Sequence, residues 1–519
     1  MDKTKVSLTE QSFEKKIFFY TSLLLFIIYI VLLIKTAWLC DDSYITFRTI
    51  DNFVNGYGLR WNIAERVQSF THPLWLFLLS LFYFFTREIF FTSIVTSMVL
   101  SLAAVFILSF RLPITTKNKI IVLLAIIFSK AFIDYSTSGL ENPLTNLLIV
   151  LFAYTYFKLE TGKTKTFLLT FILALIMVNR MDCVLLLLPA YAYYIIKNNA
   201  YKNYYLILLG FSIFIIWELF SLLYYGFLFP NTAYAKLNTG IPRFELVIQG
   251  FKYFYSSFKL DPITLVLIFL LLILTLVKFN RKYLSFSIGI FFYLIYTISV
   301  GGDFMAGRFF SASFLVALII LSQIEINTKP ELISFILIII LAGSISLKNT
   351  LFIKYASVDK FGICDERVFY YQYSNFIDGV KGKSMPSFIW VDMGKAEKRN
   401  GTQYIIMPNI GFFGFFAGNQ SYILDPSALS DPLLSKHPCI FPWRIGHYER
   451  RIPLGYRETL VSGKNEIRNP ALAKYYDKIL LITRAPLWSK KRLLEIWKTN
   501  TGQYDYLIND FLKSEEYED

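Results

Sequence analysis

Charge is what this sequence has least of. Asp, Glu, Lys and Arg make up 17% of 519 residues, against 55% hydrophobic residues, and the mean hydropathy is +0.49. A soluble chain of this length needs more polar side chains to cover itself, so lipid is expected to cover part of the surface. Cysteine is scarce too. Cys40, Cys183, Cys364 and Cys439 are the four, and none are spaced CxxC, which argues against zinc and thioredoxin chemistry. Cys364 and Cys439 fall in one C-terminal segment, where a disulfide and two unpaired thiols both remain open. No GxGxxG or P-loop context for a nucleotide is present. No internal repeat or low-complexity tract stands out, and no small-residue cleavage site follows the first apolar run.

What is abundant points the same way. The chain has 51 Phe and 35 Tyr, and tyrosine suits membrane–water boundaries because its ring is apolar and its hydroxyl wet. The formal charge of +15 does not signal nucleic acid. Lys and Arg sit in short clusters between apolar runs, as the positive-inside rule produces, and no nucleic-acid module is recognisable.

The first apolar run, 17–39, is long enough to span a core of about 30 Å and reads as an uncleaved signal anchor. Lys3, Lys5, Lys15 and Lys16 before it predict an N-terminus inside, with Asp41 emerging outside. Further spans are predicted near 89–110, 119–134, 143–158, 166–179, 182–197, 204–225, 262–279, 284–300, 308–324 and 331–347. That makes about eleven crossings with the C-terminus outside. The segment 74–86 is too short to cross and is expected to lie at the outer interface. After residue 348 charges, Gly and Pro become frequent. Residues 1–347 are therefore expected to be a transmembrane domain, and residues 348–519 an extracytoplasmic domain of α/β character.

This threading puts the polar, motif-like stretches on one outer face: Asp41-Asp42 to Arg48, Glu65-Arg66 to His72, Glu141, Arg180 with Asp182, Asn231 to Lys236, and Asp303 with Arg308. Loops carrying carboxylates and arginines on one face suggest a shared site. Asp41 and Asp42, read as the end of the first helix, would oppose its macrodipole, which argues for more than a structural role. Arg180 and Asp182 either pair with each other or bind a ligand, and His72 is as readily a boundary residue. A carboxylate can deprotonate a hydroxyl while guanidinium groups clamp a phosphate, an inventory that fits sugar transfer from a lipid phosphate. A divalent metal at Asp41 and Asp42 is compatible with two hard oxygen donors and is not required.

The stretch Asp41-Asp42-Ser43-Tyr44-Ile45-Thr46-Phe47-Arg48, followed by Gly56-Tyr57-Gly58-Leu59-Arg60-Trp61-Asn62 and Glu65-Arg66-Val67, resembles GT-C superfamily glycosyltransferases. The mycobacterial terminal arabinofuranosyltransferases and related flagellar-motility proteins are the nearest in pattern. The resemblance continues at Ser138-Gly139-Leu140-Glu141, Asn179-Arg180-Met181-Asp182, Pro230-Asn231-Thr232-Ala233-Tyr234-Ala235-Lys236, Gly301-Gly302-Asp303 to Arg308, Asp425-Pro426 and Arg444 to His447. Met181 and Ala306 stand where that pattern favours proline, and Thr71-His72-Pro73 departs from it as well. The resemblance implies a polyprenyl-phosphate sugar donor, an envelope glycan or lipid acceptor, inversion, and an active site on the extracytoplasmic face of a bacterial plasma membrane. It implies Asp41 as base with Asp42 in support, and the donor phosphate on Arg180, Lys236, Arg308 and Arg66. Arg48, His72, Glu141, Asp182, Asn231 and Asp303 would bind sugar or acceptor. The rival classes are a lipid-linked oligosaccharide ligase or polymerase, and a non-enzymatic transporter or assembly factor.

Overall fold

The computed structural model describes residues 3–278, 280–326 and 328–514, with side chains from residue 16 onward. The side chains of Lys3, Lys5 and Lys15, on which the expected placement of the N-terminus partly rests, lie outside that description. The protein is predominantly helical. Among the described residues five helices are long and apolar enough to cross a membrane: Lys16–Thr36, Ile89–Arg111, Ala200–Tyr224, Arg281–Ser299 and Lys329–Leu351. Arg243–Leu260 and Pro262–Lys278 add a sixth if this pair, bent by 113°, is one span. Most remaining expected spans are helices too, but shorter: Thr116–Phe128, Asn142–Lys158, Lys163–Asn179, Val184–Lys197 and Arg308–Gln323. The segment expected at the interface is the helix Pro73–Thr86.

Contacts divide the chain into two units, each built from three stretches. One comprises 1–39, 93–213 and 246–385; the other comprises 40–92, 214–245 and 386–519. This division follows packing, whereas the expected boundary near 347 followed composition.

In the first unit the helix Arg308–Gln323 is the centre. Every residue from Phe310 to Ser322 is buried, as befits a helix apolar all round. It packs on Asn142–Lys158 and on Pro262–Lys278. Val184–Lys197 and Arg281–Ser299 approach closely because Gly289 lacks a side chain: a Cβ there would meet the Leu186 carbonyl oxygen at 2.0 Å. The break before Pro262 has a local cause. Proline supplies no N–H and disfavours helix in the residue before it, and the Asp261 carboxylate takes the Ala131 N–H at 2.7 Å and the Thr264 hydroxyl at 2.5 Å. The helix Lys329–Leu351 starts on a capping box between Thr328 and Glu331, and Leu341 on it is 71% exposed, a lipid-facing pattern.

The second unit holds the helices Asp41–Val54, Asn231–Leu237, Ile389–Asn400, Phe412–Ala417, Tyr456–Ser462, Pro470–Arg484, Lys490–Asn500 and Asp505–Leu512. Its strands, Tyr404–Ile406 and Tyr422–Leu424, pair in parallel with Tyr404 opposite Tyr422 and Ile406 opposite Leu424. The α/β character expected of the C-terminal region amounts to this two-stranded sheet among many helices and turns. One core gathers Ile45, Trp61, Ile410, Phe413 and Ile423; another gathers Leu433, Leu434, Tyr456, Leu472, Tyr476 and Ile479. All four cysteines are free thiols and buried, so Cys364 and Cys439 are not a disulfide.

Candidate functional site

Asp41 and Asp42 do not end the first helix. That helix stops at Thr36, and the two acids open the next one, Asp41–Val54, after an extended Cys40. At a helix N-terminus the exposed N–H groups and the macrodipole favour negative charge. The dipole argument for a special role therefore reverses, and the pair has an ordinary structural justification.

The surroundings of Asp41 are less ordinary. It is 6% exposed, and its Oδ1 accepts the Phe412 N–H at 2.6 Å. Gly411 lies so close that a Cβ there would stand 2.0 Å from the Asp41 carbonyl oxygen. Tyr44, one turn on, meets the rings of Phe412 and Phe415 edge-on at 4.7 and 5.3 Å. In this apolar setting burial pushes the Asp41 carboxyl up to about 7. The Asp42 charge adds to the rise, and the Phe412 and Gly411 N–H groups oppose it. A carboxyl that titrates near neutrality can both accept and release a proton under physiological conditions.

The other candidates in this unit have structural partners. Arg48 is buried at 2% exposure. Its Nε donates to the Trp61 carbonyl at 2.9 Å and one Nη to the Ser421 carbonyl at 2.9 Å, and the other Nη bonds the Gly414 carbonyl. The guanidinium also lies 4.4 Å from the Trp61 ring centre. It fastens the helix to residues 412–421, with each of its three nitrogens on a backbone carbonyl. Arg66 donates to the carbonyls of Tyr224, Ile482 and Ala485. Asn231 donates to those of Ala428, Leu429 and Asp431 and accepts from Ser435. His72 Nε2 shares a 2.8 Å hydrogen bond with Thr46. Lys236 is exposed on Asn231–Leu237.

In the first unit five candidates converge. Glu141 lies just before the helix Asn142–Lys158, and Arg308 opens the central helix. Arg308 reaches Glu141 at 3.1 Å and Asp303 at 3.3 Å; Arg180 reaches Glu141 at 3.5 Å and Asp182 at 3.1 Å. The Tyr293 hydroxyl donates to Asp182 at 2.8 Å and accepts from Arg180 at 3.2 Å. Three carboxylates and two guanidinium groups share this network, with Glu141 only 2% exposed between the arginines. Arg180 and Asp182 pair with each other, and through Glu141 they belong to a larger cluster.

A second buried cluster of this unit escaped the sequence reading. Lys130 pairs with Asp134 at 2.5 Å and with Asp365 at 3.0 Å, while Arg367 pairs with Asp134. The signal was there in Lys130 and Asp134, two charges inside an apolar run. Their further partners, Asp365 and Arg367, lie more than 200 residues away in sequence, so no local pattern could supply them. In the second unit Asp425 and Asp431 are buried carboxyls held by backbone N–H groups, and burial pushes each up to about 7.

Among the described residues no group of three or more His, Cys, Asp or Glu is placed to hold a metal ion. Asp41 and Asp42 offer at most a two-carboxylate donor set. That would suit an octahedral cation whose remaining ligands are water and substrate phosphate, rather than an all-protein cage. No protein-family model matches the chain, and no curated protein matches it.

Proposed function

We propose that this protein is a GT-C-type membrane glycosyltransferase. It moves a sugar from a polyprenyl-phosphate donor to a hydroxyl of an envelope glycan or lipid, with inversion, at the extracytoplasmic face of a bacterial plasma membrane. The proposal includes about eleven crossings, N-terminus inside and C-terminus outside, with the shorter helices also crossing. The observation that carries it is Asp41: a buried carboxyl at a helix N-terminus, titrating near neutrality in an aromatic setting.

In the proposed step the acceptor hydroxyl loses its proton to the Asp41 carboxylate as its oxygen bonds to the anomeric carbon. The bond from that carbon to the phosphate oxygen breaks on the opposite face. Polyprenyl phosphate leaves as a stable anion, so no strong general acid is needed. Asp42 supports the base. Lys236, an exposed cation of the unit that holds Asp41, is a proposed phosphate ligand. In the other unit Arg180 and Arg308, held by Glu141, Asp182 and Asp303, are guanidinium forks of the kind that suits phosphate oxygens. Arg48, Arg66 and Asn231, engaged with backbone carbonyls, are proposed as positioning residues rather than ligands.

The excess of carboxylates over guanidinium groups around Glu141 favours a second reading, a transporter coupled to a cation. The two separate on product analysis. Incubation with a radiolabelled polyprenyl-phosphate sugar and an envelope extract should release polyprenyl monophosphate and label a glycan. Cation-dependent uptake without sugar transfer would overturn the glycosyltransferase reading, and release of a diphosphate would point to an oligosaccharide ligase.

A further inference from the structure

The second unit carries a cleft whose lining does not include Asp41. The parallel strands Tyr404–Ile406 and Tyr422–Leu424 bury one face, where Ile423 joins a core with Trp61 and Phe413. On the other face Tyr404, Ile406, Tyr422 and Leu424 stand together by the two-residue period of a strand. The helix Tyr456–Ser462 closes the side, and the resulting cavity of about 150 Å³ is lined by Tyr404, Ile406, Tyr422, Arg457, Leu460 and Val461.

Its chemistry is uneven in an informative way. Leu424 and Leu460 are buried, whereas Tyr404, Ile406 and Val461 are 37, 44 and 54% exposed. The two tyrosine rings stand 5.9 Å apart and are tilted by 38°. Tyr422 is fixed from behind: its hydroxyl donates to Glu65 at 2.8 Å, and Glu65 pairs with Arg484 at 3.3 Å. Arg457 is exposed at the rim and makes no ion pair or hydrogen bond among the described residues. A rigid aromatic wall suits the C–H face of a sugar ring, because the π face is electron-rich. An unpaired guanidinium beside it suits a carboxylate, which it can hold by two parallel hydrogen bonds.

We infer that this cleft is a binding subsite for one sugar ring bearing a carboxylate, a uronate residue of an acidic glycan. The ring lies against Tyr404 and Tyr422, and its carboxylate meets Arg457. The cavity has room for one ring rather than a chain, so neighbouring sugars would extend past the exposed Ile406 and Val461. The inference goes beyond the transfer reaction and does not depend on it.

The test is titration calorimetry of the full chain in detergent micelles with a short oligogalacturonate, and with the same oligosaccharide methyl-esterified. The acid should bind saturably and the ester about tenfold more weakly or not at all, the order expected for one charge-assisted pair. Arg457→Gln should weaken binding of the acid to the level of the ester and leave the ester unchanged. Tyr404→Ala should weaken both forms. Arg457 is exposed, so its substitution should leave the melting temperature unaltered. No saturable binding, equal affinity for acid and ester, or native affinity in Arg457→Gln would each overturn the inference.

Discussion

Asp41→Asn should stabilise the protein at pH 8 while slowing the proposed transfer. The side chains are nearly isosteric, and the Asn oxygen can still accept the Phe412 N–H that Asp41 Oδ1 takes at 2.6 Å. What changes is the charge. The Asp41 carboxyl rises from 3.8 to about 7 on folding. Between those values the folded chain holds a proton that the unfolded chain has lost, so stability falls as pH rises through about 4 to 7 and levels off above. A shift of that size corresponds to about 4 kcal/mol. Asn avoids this penalty but forgoes the favourable interaction of an anion with the helix N-terminus, roughly 0.3–1 kcal/mol. The net expectation is about 3 kcal/mol in favour of the Asp41→Asn variant at pH 8 and little difference at pH 3, below both pKa values. Thermal unfolding in detergent, followed by circular dichroism at both pH values, checks it as a gain of several degrees at pH 8 only. A variant that melts lower than the native protein at pH 8 would refute the reasoning. It would mean that Asp41 is a stabilising helix-start anion and not a strained, buried base.

Two further substitutions separate positioning from binding. Arg48→Lys replaces a planar fork that spans three separate carbonyls by a single ammonium centre that does not match them, so it should lower stability by about 3 kcal/mol, read as a lower melting temperature. A native melting curve together with lost acceptor affinity would instead return Arg48 to the substrate-binding set. Glu141→Gln removes the charge shared by Arg180 and Arg308 and should destabilise by roughly 3 kcal/mol, since the buried Arg180 and the half-buried Arg308 each lose a partner. If the arginines bind phosphate, donor binding measured at a temperature where the variant is folded should tighten, because a competing anion is gone. Weaker donor binding in the folded variant would assign Glu141 to the sugar.

Most helices were legible because long apolar runs mark them. The predicted segments 143–158, 166–179, 204–225, 284–300 and 308–324 coincide with helices within a few residues. Their lengths were less legible. Hydropathy gives the same signal for a lipid-facing helix as for one buried in protein, and the central helix Arg308–Gln323 is the latter. The stop at Thr36 was hidden because Ala37, Trp38 and Leu39 continue the apolar run without glycine or proline, and the misplacement of Asp41 and Asp42 followed from it. The helix Arg243–Leu260 was missed because its charges interrupt the run. In the candidate site, local motifs found Glu141, Arg180, Asp182, Asp303 and Arg308, and the fold assembles all five. The same kind of motif marked Arg48, Arg66 and Asn231, whose partners are backbone carbonyls that no sequence pattern records.

The most direct test of the central claim is the pH–rate profile of sugar transfer from a polyprenyl-phosphate donor, measured for the native chain and for Asp41→Asn. The base must be ionised to act, so the native rate should rise with pH through about 7 and then level off. Asp41→Asn should lose about 10²–10⁴ in rate with donor binding retained. Full activity in that variant would contradict the account.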